Sequence, residues 1–340
     1  SFGCLAAAGA SPLGSQARGP WLDSTMPAAE RAKMLVKSMT LEEKLAMLHG
    51  PSYETLMSCK NTSAPNYDVS ACAYVGRIAG NTRLGIPPIN MNDGPQGFRD
   101  PHNPGTSTAW PSGLTMAASW DVNAMYEWGR GMGQEFYEKG ANVQLGPGLN
   151  IARVPLNGRN FEYLSGEDPF LGYALAKPAV SGIQSQKVIA NAKHFVLNSQ
   201  ETDRLFVSSE ADERVRFEMY YPPFEGAVEA NVGSFMCAYN KVNRVWSCEN
   251  PTVLGKELKR TLGFNGFVVS DWGATHSTSL MSGLDVEMPG SYFFAPELIR
   301  EGLNAGVIAK GMVDDAVLRI LTPMFDVGVM DVPVSVWSFL

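Results

Sequence analysis

Apolar positions along the chain fall into two periods. Six runs are short and nearly continuous: IPPINMND from Ile86, NVQLGPG from Asn142, VIANAKH from Val188, GSFMCAYN from Gly233, GFVVSDW from Gly266 and LDVEMPG from Leu284. A surface strand alternates apolar and polar residues, whereas continuous runs belong to strands buried on both faces. Longer stretches with helical spacing lie between them, including residues 121–140, 212–231 and 251–263. A helical pattern over residues 25–50 precedes the first run, with Thr40-Leu41-Glu42-Glu43 as a capping box, and a last helix is expected from Met312 to Val327. Strand–helix alternation over roughly 250 residues predicts an α/β fold, with a (β/α)8 TIM-like barrel as the size match. A doubly wound sheet is the runner-up, but no G-x-G-x-x-G follows the first strand.

The runs end on polar or reactive side chains: Asn92-Asp93, Lys193-His194, Tyr239-Asn240, Asp271-Trp272 and Glu287. In a barrel all C-terminal strand ends face one mouth, so groups distant in sequence converge on one pocket. Each has a plainer role when taken singly. A strand-end aspartate caps the next helix, and a buried Lys-His pair satisfies backbone groups.

Net charge is −7, which gives no basic footprint for nucleic acid or anionic membranes. No apolar run approaches the roughly 18 residues of a membrane helix. The start, SFGCLAAAGASPLGSQARG, reads as the remnant of a secretory leader over residues 1–20, the alternative being a frayed Ala/Gly tail. Beyond Cys4, the cysteines form two sequence-local pairs, Cys59/Cys72 and Cys237/Cys248. In an exported chain these pair as disulfides, and in a cytosolic one they are four thiols. Neither they nor the four histidines have zinc-ligand spacing. Asn61-Thr62-Ser63 is a glycosylation sequon, which favours an extracellular location.

Carboxylates, cations and aromatics around one cavity suit a neutral polyhydroxylated ligand. Carboxylates accept hydroxyl hydrogen bonds, Lys and Arg donate them, and an indole stacks on C–H faces. Glycoside hydrolysis is the reaction such a set supports. The motifs Met91–Arg99, Gly158-Arg159-Asn160-Phe161-Glu162, Ala192-Lys193-His194-Phe195, Met236–Lys241 and Val269-Ser270-Asp271-Trp272 stand in an order that resembles the N-terminal barrel domain of glycoside hydrolase family 3, the secreted β-glucosidases in particular.

The resemblance implies that Asp271 is the catalytic nucleophile and Trp272 the aromatic wall of the first sugar subsite. Asp93, paired with Arg99, grips sugar hydroxyls. Arg159, Lys193 and His194 donate to the remaining hydroxyls, and Met236 and Tyr239 line the floor. The Cys237–Cys248 pairing is also implied. A small β-glucoside or oligosaccharide is the expected partner, with no metal, cofactor, nucleic acid or membrane; the oligomeric state stays open. Physical chemistry adds that Lys193, His194 and Arg159 should depress nearby carboxylate pKa values, which makes Asp93 a poor general acid and a good hydroxyl acceptor.

The expected domain runs over 21–330, with 331–340 as a truncated tail. Members of the family usually take the acid/base glutamate from a second, α/β sandwich domain; this domain is expected to be absent and turnover impaired. Glu167 and Asp168 are the first candidates for an acid within the barrel. The alternatives are a non-catalytic β-glucoside-binding barrel, a β-xylosidase or N-acetylhexosaminidase of the same family, and an aldolase-like barrel with a Schiff base on Lys193. Neighbouring acids that hold Lys193 charged weigh against the last, and Asp93-Gly94-Pro95 resembles the glucosidase form.

Overall fold

The computed structural model describes residues 19–59, 63, 72–100 and 105–338. The Asn61 sequon and residues 1–18 of the expected leader therefore lie outside the described residues. Among those described, nine strands follow in chain order: β1 (Gly76–Ile78), β2 (Ile89–Asp93), β3 (Val143–Leu145), β4 (Ile189–Phe195), β5 (Ser208–Ser209), β6 (Ser234–Cys237), β7 (Lys241–Val242), β8 (Val245–Trp246) and β9 (Phe267–Ser270).

Six of them form one curled sheet in the order β1-β2-β3-β4-β6-β9, and β5, β7 and β8 form a small second sheet. Strands β2, β3, β4, β6 and β9 run parallel, through registers such as Met91 with Val143, Asn191 with Ser234 and Met236 with Val269. Almost every residue on them is buried, which is why their sequences read as continuous apolar runs.

The regular eight-strand pattern expected from the alternation is not reached among the described residues. Strand β1 is antiparallel to β2, and the sixth apolar run forms single parallel bridges instead of a strand. Val286 bridges to Val269 of β9, and Glu287 bridges onward to His49. The curl brings the two ends of this order together, because Met288 Sδ lies against both Gly50 and Gly76.

Helices cover the outer face. Val122–Glu138 packs on Pro169–Gln184, which packs on Pro222–Glu229. The Pro169–Gln184 helix had no counterpart among the periodic stretches; its all-round small and apolar residues blur the amphipathic signal. The predicted capping box is formed, with Thr40 and Glu43 each accepting the other's backbone amide. Residues 310–326 form the last long helix. Beyond it Trp337 is buried, its carbonyl accepts from Asn90 Nδ2 at 2.9 Å, and its ring meets Tyr137 edge-on.

Cys59–Cys72 and Cys237–Cys248 are both disulfides. Closing short loops, each is worth about 2–3 kcal/mol in the chain-entropy account. Two buried charge groups brace the shell, and the first of them reaches the sheet. Lys259 Nζ lies 2.8 Å from both oxygens of Asp285, and Asp285 Oδ2 also accepts the Val268 amide of β9 at 2.8 Å. Glu257 accepts from Arg216 and from the Tyr221 hydroxyl.

Candidate active site

A cavity of about 720 Å³ opens at the C-terminal ends of the parallel strands, and all nine residues assigned from the sequence line it: Asp93, Arg99, Arg159, Lys193, His194, Met236, Tyr239, Asp271 and Trp272. Four of the five strand ends converge there. The fifth, Glu287, is buried elsewhere, with its carboxylate accepting the amides of Tyr292, Phe293 and Phe294 at 2.8–3.1 Å. It organises backbone and takes no part in the cavity lining.

Local structure aims each group. The loop after β2 is closed by the Arg99 amide donating to the Asp93 carbonyl at 3.1 Å and by Asn92 Nδ2 donating to the Arg99 carbonyl at 2.8 Å. Gly97 makes the turn possible, since it sits at φ +125° and a Cβ there would lie 2.4 Å from the Thr108 carbonyl oxygen. The β4–β6 ladder shifts register between Ala192 and Phe195, so Lys193 and His194 leave the regular alternation at the mouth. The Asn150 side chain pins His194 by accepting its amide at 2.7 Å and donating to its carbonyl at 3.0 Å.

The cations and carboxylates interlock. Asp93 Oδ1 lies 3.6 Å from Lys193 Nζ and Oδ2 lies 3.2 Å from Arg99 Nη1. Burial works to raise the Asp93 pKa, but Lys193, Arg99 and Arg159 together hold it below the ordinary range. Arg159 donates to Glu162 at 2.6 Å and to His194 Nε2 at 3.1 Å. The Tyr163 hydroxyl lies 3.3 Å from His194 Nδ1. Burial, with Arg159, Lys193 and Arg204 nearby, pushes the His194 pKa far down, so its imidazole is neutral.

Asp271 is buried at the end of β9. Its Oδ1 accepts the Trp272 amide at 2.7 Å, its Oδ2 lies 3.5 Å from His194 Nε2, and the Tyr239 hydroxyl bonds to the same carboxylate. Here the expectation from sequence needs correcting. Burial raises the Asp271 pKa, and Lys193, the Trp272 amide, the Tyr239 hydroxyl and Arg159 only partly offset it. Neighbouring cations win at half-exposed Asp93, whereas desolvation wins at Asp271.

Trp272 walls the cavity, its indole Nε1 donating to the Val75 carbonyl at 2.8 Å. A Cβ on Gly76 would come within 2.8 Å of the indole. The Cys59–Cys72 disulfide and residues 73–75 complete that wall.

Sequence reasoning missed Arg204, which also lines the cavity, lies over the Tyr239 ring at 4.5 Å and is held by Glu201 at 2.8 Å. The Glu201/Arg204 pair at i,i+3, shortly after Lys193-His194, was the available signal. Asp168 is a helix cap, accepting the Phe170 and Leu171 amides, and neither it nor Glu167 lines the cavity. Among the described residues no cluster of His, Cys, Asp and Glu is arranged to hold a metal ion. No helix among them is long and apolar enough to cross a membrane.

Comparison with known proteins gives concordant matches. Residues 33–323 match the model described as the glycosyl hydrolase family 3 N terminal domain. Beta-glucosidase 1 of Aspergillus aculeatus is 38% identical over 333 residues, covering 92% of this chain and 36% of that protein. Thermostable beta-glucosidase B of Acetivibrio thermocellus is 38% identical over 305 residues, covering 86% of this chain and 37% of that protein. The chain thus spans a little over a third of the length of these curated relatives. Among solved structures, DesR, a beta-glucosidase from Streptomyces venezuelae in complex with D-glucose, superposes with a TM-score of 0.80 at 33% identity, covering 88% of this chain and 38% of that one. Beta-glucosidase 3B from Thermotoga neapolitana in complex with glucose gives 0.79 at 34% identity, covering 88% and 43%.

Proposed function

Because the chain belongs to glycosyl hydrolase family 3, we propose that its cavity is the sugar subsite of a retaining β-glucosidase that acts on terminal non-reducing β-D-glucosyl residues. The observation that carries this reading is the state of Asp271. One carboxylate oxygen is tied to the Trp272 amide, and the carboxylate is buried at the polar cavity between Tyr239 and His194. The oxygen not held by the Trp272 amide is the one that reaches the anomeric carbon. It attacks, the bond from that carbon to the aglycone oxygen breaks, and a glycosyl-enzyme forms on Asp271; water then releases the sugar with retained configuration.

The other groups have supporting roles in this proposal. Asp93, kept ionised, accepts sugar hydroxyl hydrogen bonds, with Arg99 fixing its orientation. Arg159 and Lys193 donate to hydroxyls, His194 and Met236 shape the floor with Tyr239, and Trp272 stacks on the ring. Glucose in the DesR and Thermotoga complexes supports this choice of sugar. We place these groups in a (β/α)8-like barrel over residues 21–330. Export is also part of the proposal, supported by the two disulfides.

Among the described residues lining the cavity, the carboxylates are Asp93 and Asp271. Asp93 is held ionised and Asp271 is spent on the attack, so protonation of the leaving oxygen falls to a group outside this set. The chain by itself should therefore favour substrates with good leaving groups.

Labelling tests the proposal directly. An activated 2-deoxy-2-fluoro-β-glucoside should add one fluoroglucosyl mass to the peptide carrying Asp271, and Asp271→Asn should abolish it. Binding of glucose without any covalent adduct would instead make this a sugar-binding barrel. Comparable turnover of an aryl β-glucoside and cellobiose would show that an acid is supplied within the chain.

A further inference from the structure

We propose that Glu201 is a positioning residue: acting through Arg204 and Tyr239, it sets the hydrogen bond that Asp271 receives from the Tyr239 hydroxyl. The inference rests on the reading of Asp271 as nucleophile and names a residue, outside the cavity lining, that tunes that carboxylate.

The relay runs contact by contact. Glu201 and Arg204 share one tight turn, closed by the Arg204 amide donating to the Glu201 carbonyl at 3.2 Å, with Asp203 inside it at φ +56°. Glu201 Oε1 accepts from Arg204 Nη1 at 2.8 Å, and Oε2 faces Arg159 Nη1 at 4.0 Å. A carboxylate between two guanidiniums is held from both sides. Fixed in this way, the Arg204 guanidinium lies 4.5 Å over the Tyr239 ring.

A cation over a phenol ring restrains the ring and strengthens its hydroxyl as a donor. Burial and the Asp271 charge raise the Tyr239 pKa, and Arg204 works against them. The acceptor of that hydroxyl is Asp271, where burial raises the pKa and the Tyr239 bond is among the contacts that offset it. The Arg204 side chain is 31% exposed, so without Glu201 its guanidinium turns out to water and leaves the ring.

Two effects of removing Glu201 then have opposite signs. A weaker Tyr239 hydrogen bond makes ionisation of Asp271 harder and moves its titration to higher pH. Loss of a nearby negative charge makes ionisation easier and moves the titration to lower pH. The remaining groups facing Asp271, Lys193, His194 and Arg159, are the same in every Glu201 variant.

Carbon-13 NMR of the carboxyl groups reads this titration without chemistry, with the Asp271 signal identified by its loss in Asp271→Asn. Inactivation by the fluoroglucoside reads the nucleophile. Glu201→Leu should move the Asp271 titration to higher pH and slow inactivation below its acid midpoint roughly two- to tenfold, the range of one net hydrogen bond. Glu201→Gln keeps an acceptor for Arg204 and should show a smaller move or none. Adding Tyr239→Phe to Glu201→Leu should remove the upward move. Thermal unfolding reports whether Glu201→Leu folds; where it does not, Arg204→Met should give an upward move that shrinks once Tyr239→Phe is added.

A titration that stays in place or moves down in folded Glu201→Leu would overturn the relay. So would equal upward moves in the two Glu201 variants, or a move that persists in full with Tyr239→Phe. The expected upward move in a chain that the inactivator never labels would support the relay and defeat the nucleophile reading instead.

Discussion

Replacing Lys193 by methionine removes the buried charge at the centre of the site while nearly keeping its volume. Its Nζ lies 3.6 Å from Asp93 Oδ1, and it heads the charges that oppose the burial of Asp271. Coulomb's law at that separation gives about 1 kcal/mol in a water-like medium and about 5 kcal/mol at an effective dielectric near 20. The Asp93 side chain is 36% exposed, so screening puts the loss there near the lower end, about 1–2 kcal/mol. At buried Asp271 the loss of the same cation raises the pKa further.

The signs can be worked for both carboxylates. Without the cation, ionisation of Asp271 becomes harder and its already raised pKa rises further. Since the ionised form attacks, the acid limb of kcat/KM should move to higher pH. Asp93 has a depressed pKa in the folded chain, so its stabilising contribution is present above its unfolded value and is lost as pH falls through the folded one. The stability difference between the variant and the parent should therefore be largest above about pH 4 and shrink below it. The assay is kcat/KM for an activated aryl β-glucoside over roughly pH 3–7, with Lys193→Arg as the charge-retaining control. An acid limb that stays in place or moves down in Lys193→Met would refute the electrostatic account of Asp271.

Two further substitutions probe the frame around the site. Gly76→Ala would put a Cβ 2.8 Å from the Trp272 indole, and the ring can yield only by stretching its bond to the Val75 carbonyl. Overpacking of this kind costs about 1–3 kcal/mol, and KM should rise more than kcat falls; tryptophan fluorescence, thermal unfolding and steady-state kinetics report it, and an unchanged KM would show that the wall is not in contact with sugar. Lys259→Met strands the Asp285 carboxylate in the interior with only the Val268 amide as a partner. Breaking a buried pair from one side costs about 3–5 kcal/mol, and denaturant unfolding should show substantial recovery in Lys259→Met/Asp285→Leu.

Much of the site could be read from the chain because strand ends are local features. Continuous apolar runs mark doubly buried strands, and the residue ending each run is placed at the mouth by the parallel topology alone. That logic reached Asp93, Lys193, His194, Tyr239, Asp271 and Trp272, and motif resemblance added Arg99, Arg159 and Met236. It failed for Glu287, where the same pattern serves a backbone turn: whether a strand-end carboxylate meets solvent or three amides depends on the loop that folds over it. Arg204 and Tyr163 escaped because they lie on loops, where no periodicity reports the direction of a side chain.

The chain by itself determined the α/β alternation, the capping box and the chemical character of the mouth, all of which follow from short-range pattern and composition. Only the tertiary structure decided the antiparallel first strand, the single bridges at Val286 and Glu287, and the opposite pKa shifts of Asp93 and Asp271. Those shifts turn on a balance between burial and nearby charge. Spacing along a chain names the charges, but the depth at which each carboxylate lies is fixed by how the strands curl and which loops cover their ends.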